Sequence, residues 1–210
     1  MSTKGWVREG RTWKAPGFTQ EPTHPVCAVN WEDAKAFCVW LTQKERTAGR
    51  LGADQEYRLP TDAEWSQAAG MDELKNGTPE QKMTLTTGYS WGPDWPPPPG
   101  AGNLAGYEIR GRTWPDDWAT LTVGDGYAGT APVGQYSANQ FGLYDLDGNV
   151  EEWCGDLFNA ADAKRVIRGS AFTTGIASTA QWANREACDP QLRATCYGFR
   201  VVLSVGESAH

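Results

Sequence analysis

A long stretch without hydrophobic periodicity is the feature that most constrains this chain. In residues 71–135, Trp95 is followed by four consecutive prolines, and apolar residues recur at neither helical nor strand spacing. The whole chain has 24 glycines and 13 prolines among its 210 residues. A loop section of this length is uncommon inside a compact domain unless something else orders it. We therefore expect little regular secondary structure and long, ordered loops.

The tryptophan content predicts how such a chain builds its core. Eleven tryptophans indicate a loop-rich core held by large flat side chains, several of which donate an indole N–H to a backbone carbonyl. The length corresponds to one domain. We expect an irregular lead-in over residues 1–24, a single domain over 25–204 and a tail over 205–210.

Two helices are predicted by their capping signals. Asn30 with Asp33 three residues later caps a helix that should end near Gly49. Thr61 and Glu64 form a capping box at the start of a second helix. Short apolar runs predict strands. These runs are a buried one at 26–29 and further pieces at 141–144, 165–168 and 198–203.

Charge and hydropathy exclude several classes of partner. The net charge is −7 and no long basic run is present, so nucleic-acid binding is not expected. No apolar run reaches the roughly 18–20 residues of a membrane helix, so no membrane partner is expected. His24 and His210 are the only histidines, which argues against any site built from clustered histidines.

The cysteines and the first residues indicate a compartment. Five cysteines without framework spacing are typical of reduced thiols. The sequence Met-Ser-Thr-Lys-Gly-Trp at the start lacks the apolar stretch of a secretory signal. We expect a cytoplasmic location, with surface display through another segment left open.

An acidic segment at 144–153 has part of the pattern of a calcium loop. Asp145, Asp147 and Asn149 match positions 1, 3 and 5 of an EF-hand. The sixth position is Val150 instead of glycine, and the twelfth is Asp156 instead of glutamate. The segment is therefore not an EF-hand.

Several blocks of sequence, taken together, resemble one family. They are Asn30-Trp31-Glu32-Asp33-Ala34, Tyr57-Arg58-Leu59-Pro60-Thr61-Asp62-Ala63-Glu64-Trp65, Asn139-x-Phe141-Gly142-Leu143-Tyr144-Asp145, Gly148-Asn149-Val150-x-Glu152-Trp153 and Gly198-Phe199-Arg200-Val201-Val202. In this order they resemble the formylglycine-generating-enzyme (sulfatase-modifying factor) family over about residues 25–203. The resemblance implies an α+β fold of the C-type lectin type, with two helices, small twisted antiparallel sheets and long ordered loops.

The resemblance raises an enzymatic hypothesis and also argues against it. Formylglycine-generating enzymes hold Cu(I) through two cysteines with four residues between them, in the segment after the Arg-Gly block at 168–169. In this sequence those positions correspond to Thr174 and Thr179. Because Cu(I) selects soft sulfur ligands, we expect no copper and no catalytic residue. A metal-dependent oxidoreductase stays open as the alternative, as does a degenerate accessory domain of the family.

The second hypothesis is a binding protein. The same scaffold resembles the variable proteins of diversity-generating retroelements, in which template adenines are randomised before a Gly-Phe-Arg-like block. Nine residues of the segment 170–197, called here the recognition segment, are reachable from an asparagine codon by changing adenines alone. These are Thr173, Thr174, Ile176, Ser178, Thr179, Cys188, Thr195, Cys196 and Tyr197.

Aromatic side chains complete the predicted binding surface. Phe172, Trp182 and Tyr197 are candidate anchors, while the Thr and Ser hydroxyls supply adaptable hydrogen bonds. A surface of small polar residues and a few aromatics on a rigid scaffold is typical of recognition. The predicted partner is an unidentified protein or other macromolecule. The competing interpretation is that the adenine pattern is coincidence.

The family resemblance also implies two structural calcium sites. The first calcium set is the Asn103 side chain, the Leu104 carbonyl, the Asp125 carboxylate and the Tyr127 carbonyl. The second calcium set is the Asp145 side chain, the Gly148 and Val150 carbonyls and the Glu152 carboxylate. All of these ligands are oxygens, which Ca²⁺ requires. Alternatively, the acids are only solvated and the other residues only form turns.

Overall fold

The computed structural model describes residues 10–71, 77–83, 88–110 and 120–206. Its helices are α1 (Trp31–Thr47), α2 (Asp62–Ala69), α3 (Pro79–Lys82) and α4 (Ala177–Ala180), with a 3-10 helix at Tyr107–Ile109. Its strands are β1 (Gln55–Arg58), β2 (Glu151–Leu157), β3 (Arg165–Arg168), β4 (Arg185–Cys188), β5 (Tyr197–Gly198) and β6 (Val202–Val205). The architecture is α+β, as expected. Residues 1–9 of the predicted lead-in and 207–210 of the predicted tail lie outside the described residues.

Both predicted helices are confirmed, together with their caps. The Asn30 side chain accepts a hydrogen bond from the Asp33 amide, and the Asp33 carboxylate accepts one from the Asn30 amide. Thr61 and Glu64 make the same reciprocal pair at the start of α2. These bonds satisfy amide groups that a helix start would otherwise leave without partners. Gly70 ends α2 in the left-handed region at φ 84°.

The strands form two small sheets. β1 pairs antiparallel with β6, and the larger sheet has the order β4-β3-β2-β5. β2 and β5 run parallel, a feature that the sequence did not predict. A parallel pair needs a long crossover connection, and the chain between β2 and β5 supplies it through β3, α4 and β4.

Two predicted strands are absent from the described structure. Residues 26–29 are largely buried but irregular, because Ala28 adopts a positive φ of 55° that interrupts extended backbone. Residues 141–144 form an exposed turn instead, and Gly142 has a φ of 75°. The apolar piece predicted at 198–203 is divided between β5 and β6, with irregular backbone between them.

Tryptophan indoles connect distant parts of the core. The Trp31 Nε1–H donates to the Cys154 carbonyl at 2.9 Å, and the Trp153 Nε1–H donates to the Val29 carbonyl at 3.1 Å. Trp153 is fully buried and meets Tyr197 edge to face, with the ring centroids 5.5 Å apart. The predicted use of indole N–H groups as ties to backbone carbonyls is therefore confirmed for these two residues.

A buried charge network attaches α2 to the larger sheet. The Asp62 carboxylate accepts hydrogen bonds from Arg168 on β3 and from the Arg185 Nε on β4, the latter at 2.9 Å. Both arginines also donate to the Ser66 hydroxyl. Because Arg168 and Arg185 are almost completely buried, the Asp62 carboxylate offsets part of their positive charge in the protein interior.

Hydrogen bonds between loops order the described parts of the long middle section. The Asn149 amide donates to the Asn103 carbonyl at 2.8 Å, and the Ser90 amide donates to the Asp147 carboxylate at 2.8 Å. The Leu121 amide donates to the Ala105 carbonyl at 2.7 Å. These loops therefore pack on the acidic segment at 144–153. Among the described residues, none of the helices is long and apolar enough to cross a bilayer.

Candidate functional site

The recognition segment presents a small group of side chains to solvent. Ile176 is 41% exposed, and Ser178 and Thr179 on α4 are exposed. Trp182 is half-buried, and its indole N–H donates to the Asp147 carboxylate at 2.9 Å. Three of the predicted contact residues are therefore exposed at α4, and Trp182 follows shortly after the end of this helix.

The other seven predicted contact residues are buried. They are Phe172, Thr173, Thr174, Cys188, Thr195, Cys196 and Tyr197. None of them is more than 6% exposed, so the prediction that they form an exposed surface is wrong. Cys188 on β4 and Tyr197 on β5 belong to the larger sheet, and with Phe172 and Cys196 they pack in the core around Trp153. Thr174 is held in a buried turn.

A buried turn holds α4 in place. The Ala171 amide donates to the Thr174 hydroxyl at 3.0 Å, and the Thr174 amide donates to the Ala171 carbonyl at 2.8 Å. The Ala105 amide donates to the Thr174 carbonyl, which fixes the turn to the middle section. The Tyr89 hydroxyl donates to the Ala177 carbonyl at the start of α4. The exposed residues therefore lie on a backbone segment that is held by hydrogen bonds at Thr174 and at Ala177.

The two positions that correspond to the copper cysteines carry hydroxyls with local partners. The Thr174 hydroxyl belongs to the buried turn, and the Thr179 hydroxyl donates to the Ile176 carbonyl at 3.0 Å. Thr174 is buried, whereas Thr179 is exposed. Neither side chain offers the soft thiolate that Cu(I) prefers.

All five cysteines are buried and unpaired, as reduced thiols. Burial raises the pKa of Cys27 to about 12 and that of Cys38 to about 11. Burial also raises the pKa of Cys154, Cys188 and Cys196. Because the thiolate is the nucleophile and the metal ligand, burial and the raised pKa values both disfavour reactions of these thiols.

A glutamate of the recognition segment was not among the predicted site residues. Glu186 on β4 is exposed, and its Oε2 accepts a hydrogen bond from the Tyr197 hydroxyl at 3.0 Å. Its charge, together with burial, raises the pKa of Glu151 at the start of β2. The available signal was a strand at 185–188 beside β3. Side chains alternate between the two faces of a strand, so Glu186 and Cys188 lie on one face.

The first calcium set is brought together around one carboxylate. Asp125 accepts a hydrogen bond from the Leu104 amide and one from the Tyr127 amide, each at 2.9 Å. Asn103 is fully buried. Its Nδ2 donates to the Gly129 carbonyl, while its Oδ1 has no hydrogen-bond partner. Burial raises the pKa of Asp125 to about 6. A partly buried carboxylate bonded to the residue after Asn103, together with the unpartnered Asn103 oxygen, fits the oxygen chemistry of Ca²⁺.

The second calcium set fits a divalent ion less well. The Asp145 Oδ2 accepts a hydrogen bond from the Gly134 amide, and its Oδ1 is buried without a partner. Glu152, however, accepts two hydrogen bonds from Arg200 at 2.5 and 2.6 Å and one from the Trp65 indole at 2.8 Å. A guanidinium therefore already balances the charge of the Glu152 carboxylate.

A cavity of about 360 Å³ lies over the second calcium set. Asp145, Val150 and Glu152 line it together with Arg200 and Phe199. Gly148, the fourth member of the set, does not line the cavity, and its amide donates to the Ser170 hydroxyl at 2.8 Å.

A further carboxylate lies close to the first calcium set, and a phenol lies close to acidic residues of both sets. Glu108, in the 3-10 helix, accepts a hydrogen bond from the Gly126 amide, and neither its Oε2 nor the Tyr136 hydroxyl has a hydrogen-bond partner. Burial raises the pKa of Tyr136, and the negative charges of Asp125, Asp145 and Glu108 raise it further. Glu108 was not among the predicted ligands, because it matches no ligand position implied by the family resemblance.

Residues 2–205 match the sulfatase-modifying factor enzyme 1-like domain. The chain belongs to this family. It is 36% identical to a formylglycine-generating enzyme of Thermomonospora curvata over 168 residues, which cover 74% of this chain and 43% of that protein. It is 31% identical to the inactive C-alpha-formylglycine-generating enzyme 2 of Bos taurus, over 92% of this chain and 56% of that protein.

A solved structure supports the fold of this family member. Variable protein 1 of Treponema denticola superposes with a TM-score of 0.55 and 25% identity, over 88% of this chain and 72% of that one. The C-type lectin-like α+β fold implied by the motif blocks is thereby confirmed. The chain spans about half the length of the two curated relatives described above.

Proposed function

We propose that this family member is a non-catalytic binding domain that recognises a protein or other macromolecule through the surface around α4. The observation that carries the proposal is the division within the recognition segment. Ile176, Ser178 and Thr179 are exposed, while Thr174 and the other residues of the turn that supports them are buried. Exposed side chains on a backbone that is held by hydrogen bonds form a suitable recognition surface.

The residues at the copper positions support the non-catalytic part of the proposal. Thr174 and Thr179 replace the cysteine pair, and their hydroxyls are bonded to the local backbone. The five cysteines are buried, and their raised pKa values keep them protonated. One relative carries the name of an inactive enzyme, and one structural neighbour is a variable protein. A metal-dependent oxidoreductase and a degenerate accessory domain are the alternatives.

Calcium is the proposed structural cofactor, held by the first calcium set. Two observations support this site. The Asn103 Oδ1 has no hydrogen-bond partner, and the amide of the next residue, Leu104, donates to the Asp125 carboxylate. With a net charge of −7, the proposed partner is neither a nucleic acid nor an anionic membrane surface.

Two matched libraries test the recognition surface. The first randomises the exposed positions Ile176, Ser178 and Thr179, and the second randomises three buried positions of the same segment, Thr173, Thr174 and Cys196. Exposed substitutions usually change the free energy of unfolding by no more than about 0.5 kcal/mol, so most members of the first library should fold. Most members of the second should not fold, because they place new volume or charge in the core.

Selection of the displayed first library against two unrelated soluble proteins should yield binders to each. If most of its members unfold, or if no binders emerge from folded members, the proposed surface is wrong. Oxidation of a cysteine-containing sulfatase peptide to formylglycine by the unmodified chain, supplied with Cu(I) and oxygen, would instead establish the oxidoreductase alternative.

A further inference from the structure

Glu108 approaches the first calcium set from the 3-10 helix. Its Oε1 accepts a hydrogen bond from the Gly126 amide at 2.7 Å, and its Oε2 is buried without a hydrogen-bond partner. Gly126 lies between Asp125 and Tyr127, two members of the set. The Glu108 carboxylate is therefore held at the loop that carries the Asp125 carboxylate.

Two glycines leave the space that the Glu108 carboxylate occupies. A Cβ atom added to Gly106 or to Gly124 would overlap its oxygens. Neither glycine has a positive φ, so backbone conformation does not require glycine at these two positions. At Gly124, glycine provides room for the Glu108 carboxylate, whereas a Cβ atom at Gly106 would also meet the Gly124 Cα at 2.9 Å.

Among the described residues, neither carboxylate at this position has a cationic partner. Asp125 receives its hydrogen bonds from the Leu104 and Tyr127 amides, and Glu108 receives one from Gly126. In the part of the chain that the structure describes, no ion pair with lysine or arginine involves either carboxylate. Two carboxylates in a partly buried loop repel each other unless a cation lies between them.

We propose that Glu108 supplies a second carboxylate to the calcium site of Asn103, Leu104, Asp125 and Tyr127. This inference rests on the calcium part of the proposed function. Ca²⁺ takes six to eight oxygen ligands, so the four groups of the first calcium set leave positions for another ligand. With a second carboxylate, the negative charge of the ligands equals the positive charge of Ca²⁺ in magnitude. The charge of the ligands is one of the properties that set the affinity of a calcium site.

Calcium titration of the full chain tests the proposal. All variants carry Asp145→Ala, so that only the first site is titrated. Binding is followed by sensitised terbium luminescence, in which bound Tb³⁺ is excited through nearby tyrosines such as Tyr127, and by displacement of Tb³⁺ with Ca²⁺. The test variants are Glu108→Gln, Gly124→Ala and the double variant. The matched controls are Glu56→Gln at an exposed glutamate of β1, and Gly155→Ala, where an added Cβ meets only an ordinary contact.

Glu108→Gln and Gly124→Ala should each weaken calcium binding about tenfold or more, because each removes the carboxylate from the ion. The double variant should be no weaker than Glu108→Gln alone, since both substitutions act on one group. The controls should bind like the parent. If Gly124→Ala does not fold, Glu108→Gln alone decides.

Two results would overturn the proposal, and they are distinguishable. If the parent binds calcium, Asp125→Asn abolishes binding and Glu108→Gln binds within about twofold of the parent, Glu108 is not a ligand and the calcium site stands. If the folded parent binds neither Tb³⁺ nor Ca²⁺ at about 1 mM, the weak end of protein calcium sites, the calcium site itself is wrong and Glu108 falls with it.

Discussion

Individual carboxylates in this protein differ in what balances their negative charge. Glu64 receives two hydrogen bonds from Arg58, at 2.6 and 2.7 Å, and Glu152 receives two from Arg200. Asp125 receives only backbone amides among the described residues. The first two carboxylates are therefore stabilised in their charged form by arginine, whereas burial disfavours the charged form of the third.

The Arg58–Glu64 pair predicts a specific acid sensitivity. The hydrogen bonds from Arg58 lower the pKa of Glu64 from its ordinary value of 4.5 to about 2. Because the pKa is lower in the folded state, the stabilisation is complete above about pH 4.5 and is lost as the pH falls towards 2. Glu64→Gln should therefore lose stability at pH 7 and show a smaller further loss between pH 4.5 and 2 than the unmodified protein.

Urea unfolding at pH 7, 4 and 3 measures this difference. The side chains of both partners are more than a third exposed, so solvent screening makes the effect modest. Glu21→Gln, at an exposed glutamate whose side chain has no described partner, is the control and should follow the unmodified protein. Parallel pH profiles for Glu64→Gln and the unmodified protein would refute the assignment.

At the scale of elements, the connection between α2 and the larger sheet is electrostatic as well as apolar. Trp65 and Ala69 of α2 pack against Cys154 and Val166 of the sheet. Asp62, at the first position of the same helix, accepts hydrogen bonds from arginines on two strands. One carboxylate thus sets the position of a helix relative to β3 and β4.

Asp62→Asn tests this connection with almost no change of shape. Removing one partner of a buried ion pair leaves uncompensated charge in the core, which typically costs about 3–5 kcal/mol. The free energy of unfolding from urea denaturation should fall by about that amount. Asp54→Asn, at an exposed position, should change it by less than about 0.5 kcal/mol. A loss below about 1 kcal/mol for Asp62→Asn would mean that packing alone holds the helix.

Elements whose signals are local are the ones that could be predicted from the sequence. Both capping boxes depend on residues three apart, so α1 and α2 are recognisable without tertiary information. The strand predicted at 26–29 fails because apolar composition does not reveal the positive φ of Ala28.

The candidate site could be predicted only in part, for a similar reason. The adenine pattern predicts candidate variable positions from the sequence, but tertiary packing decides which of them are exposed. Cys196 and Tyr197 lie beside β2 through a parallel pairing that no local pattern indicates. That pairing and the packing around Trp153 bury Phe172, Cys188, Cys196 and Tyr197, which local sequence patterns did not reveal.

For the whole molecule, the proposed calcium site would connect loops that few regular elements support. The described middle section is held by bonds such as Asn149 to Asn103 and Leu104 to Asp125. An ion bound only by the folded state stabilises it by about 2.7 kcal/mol at 100 times its Kd. For a domain of this size, that corresponds to roughly 5–10 °C in Tm.

Chelator should therefore lower the Tm of the unmodified protein relative to excess Ca²⁺. Asp125→Asn should remove most of this Tm difference, because it removes the carboxylate charge of the first calcium set. Asp54→Asn should show the same Tm difference as the unmodified protein. Scanning calorimetry after dialysis against chelator measures both. An identical Tm for the unmodified protein in chelator and in excess Ca²⁺ would argue against a structural calcium ion.

Because all five native thiols are buried, a cysteine introduced at the surface can be labelled selectively. Alkylating reagents such as maleimides react with thiolates, and here each native sulfur is shielded by the fold and carries a raised pKa. A single cysteine introduced as Ser178→Cys would stand exposed on α4 as the one accessible nucleophile of its kind in the native protein. A fluorophore or cross-linker could then be attached at the centre of the proposed contact surface without replacing any native cysteine.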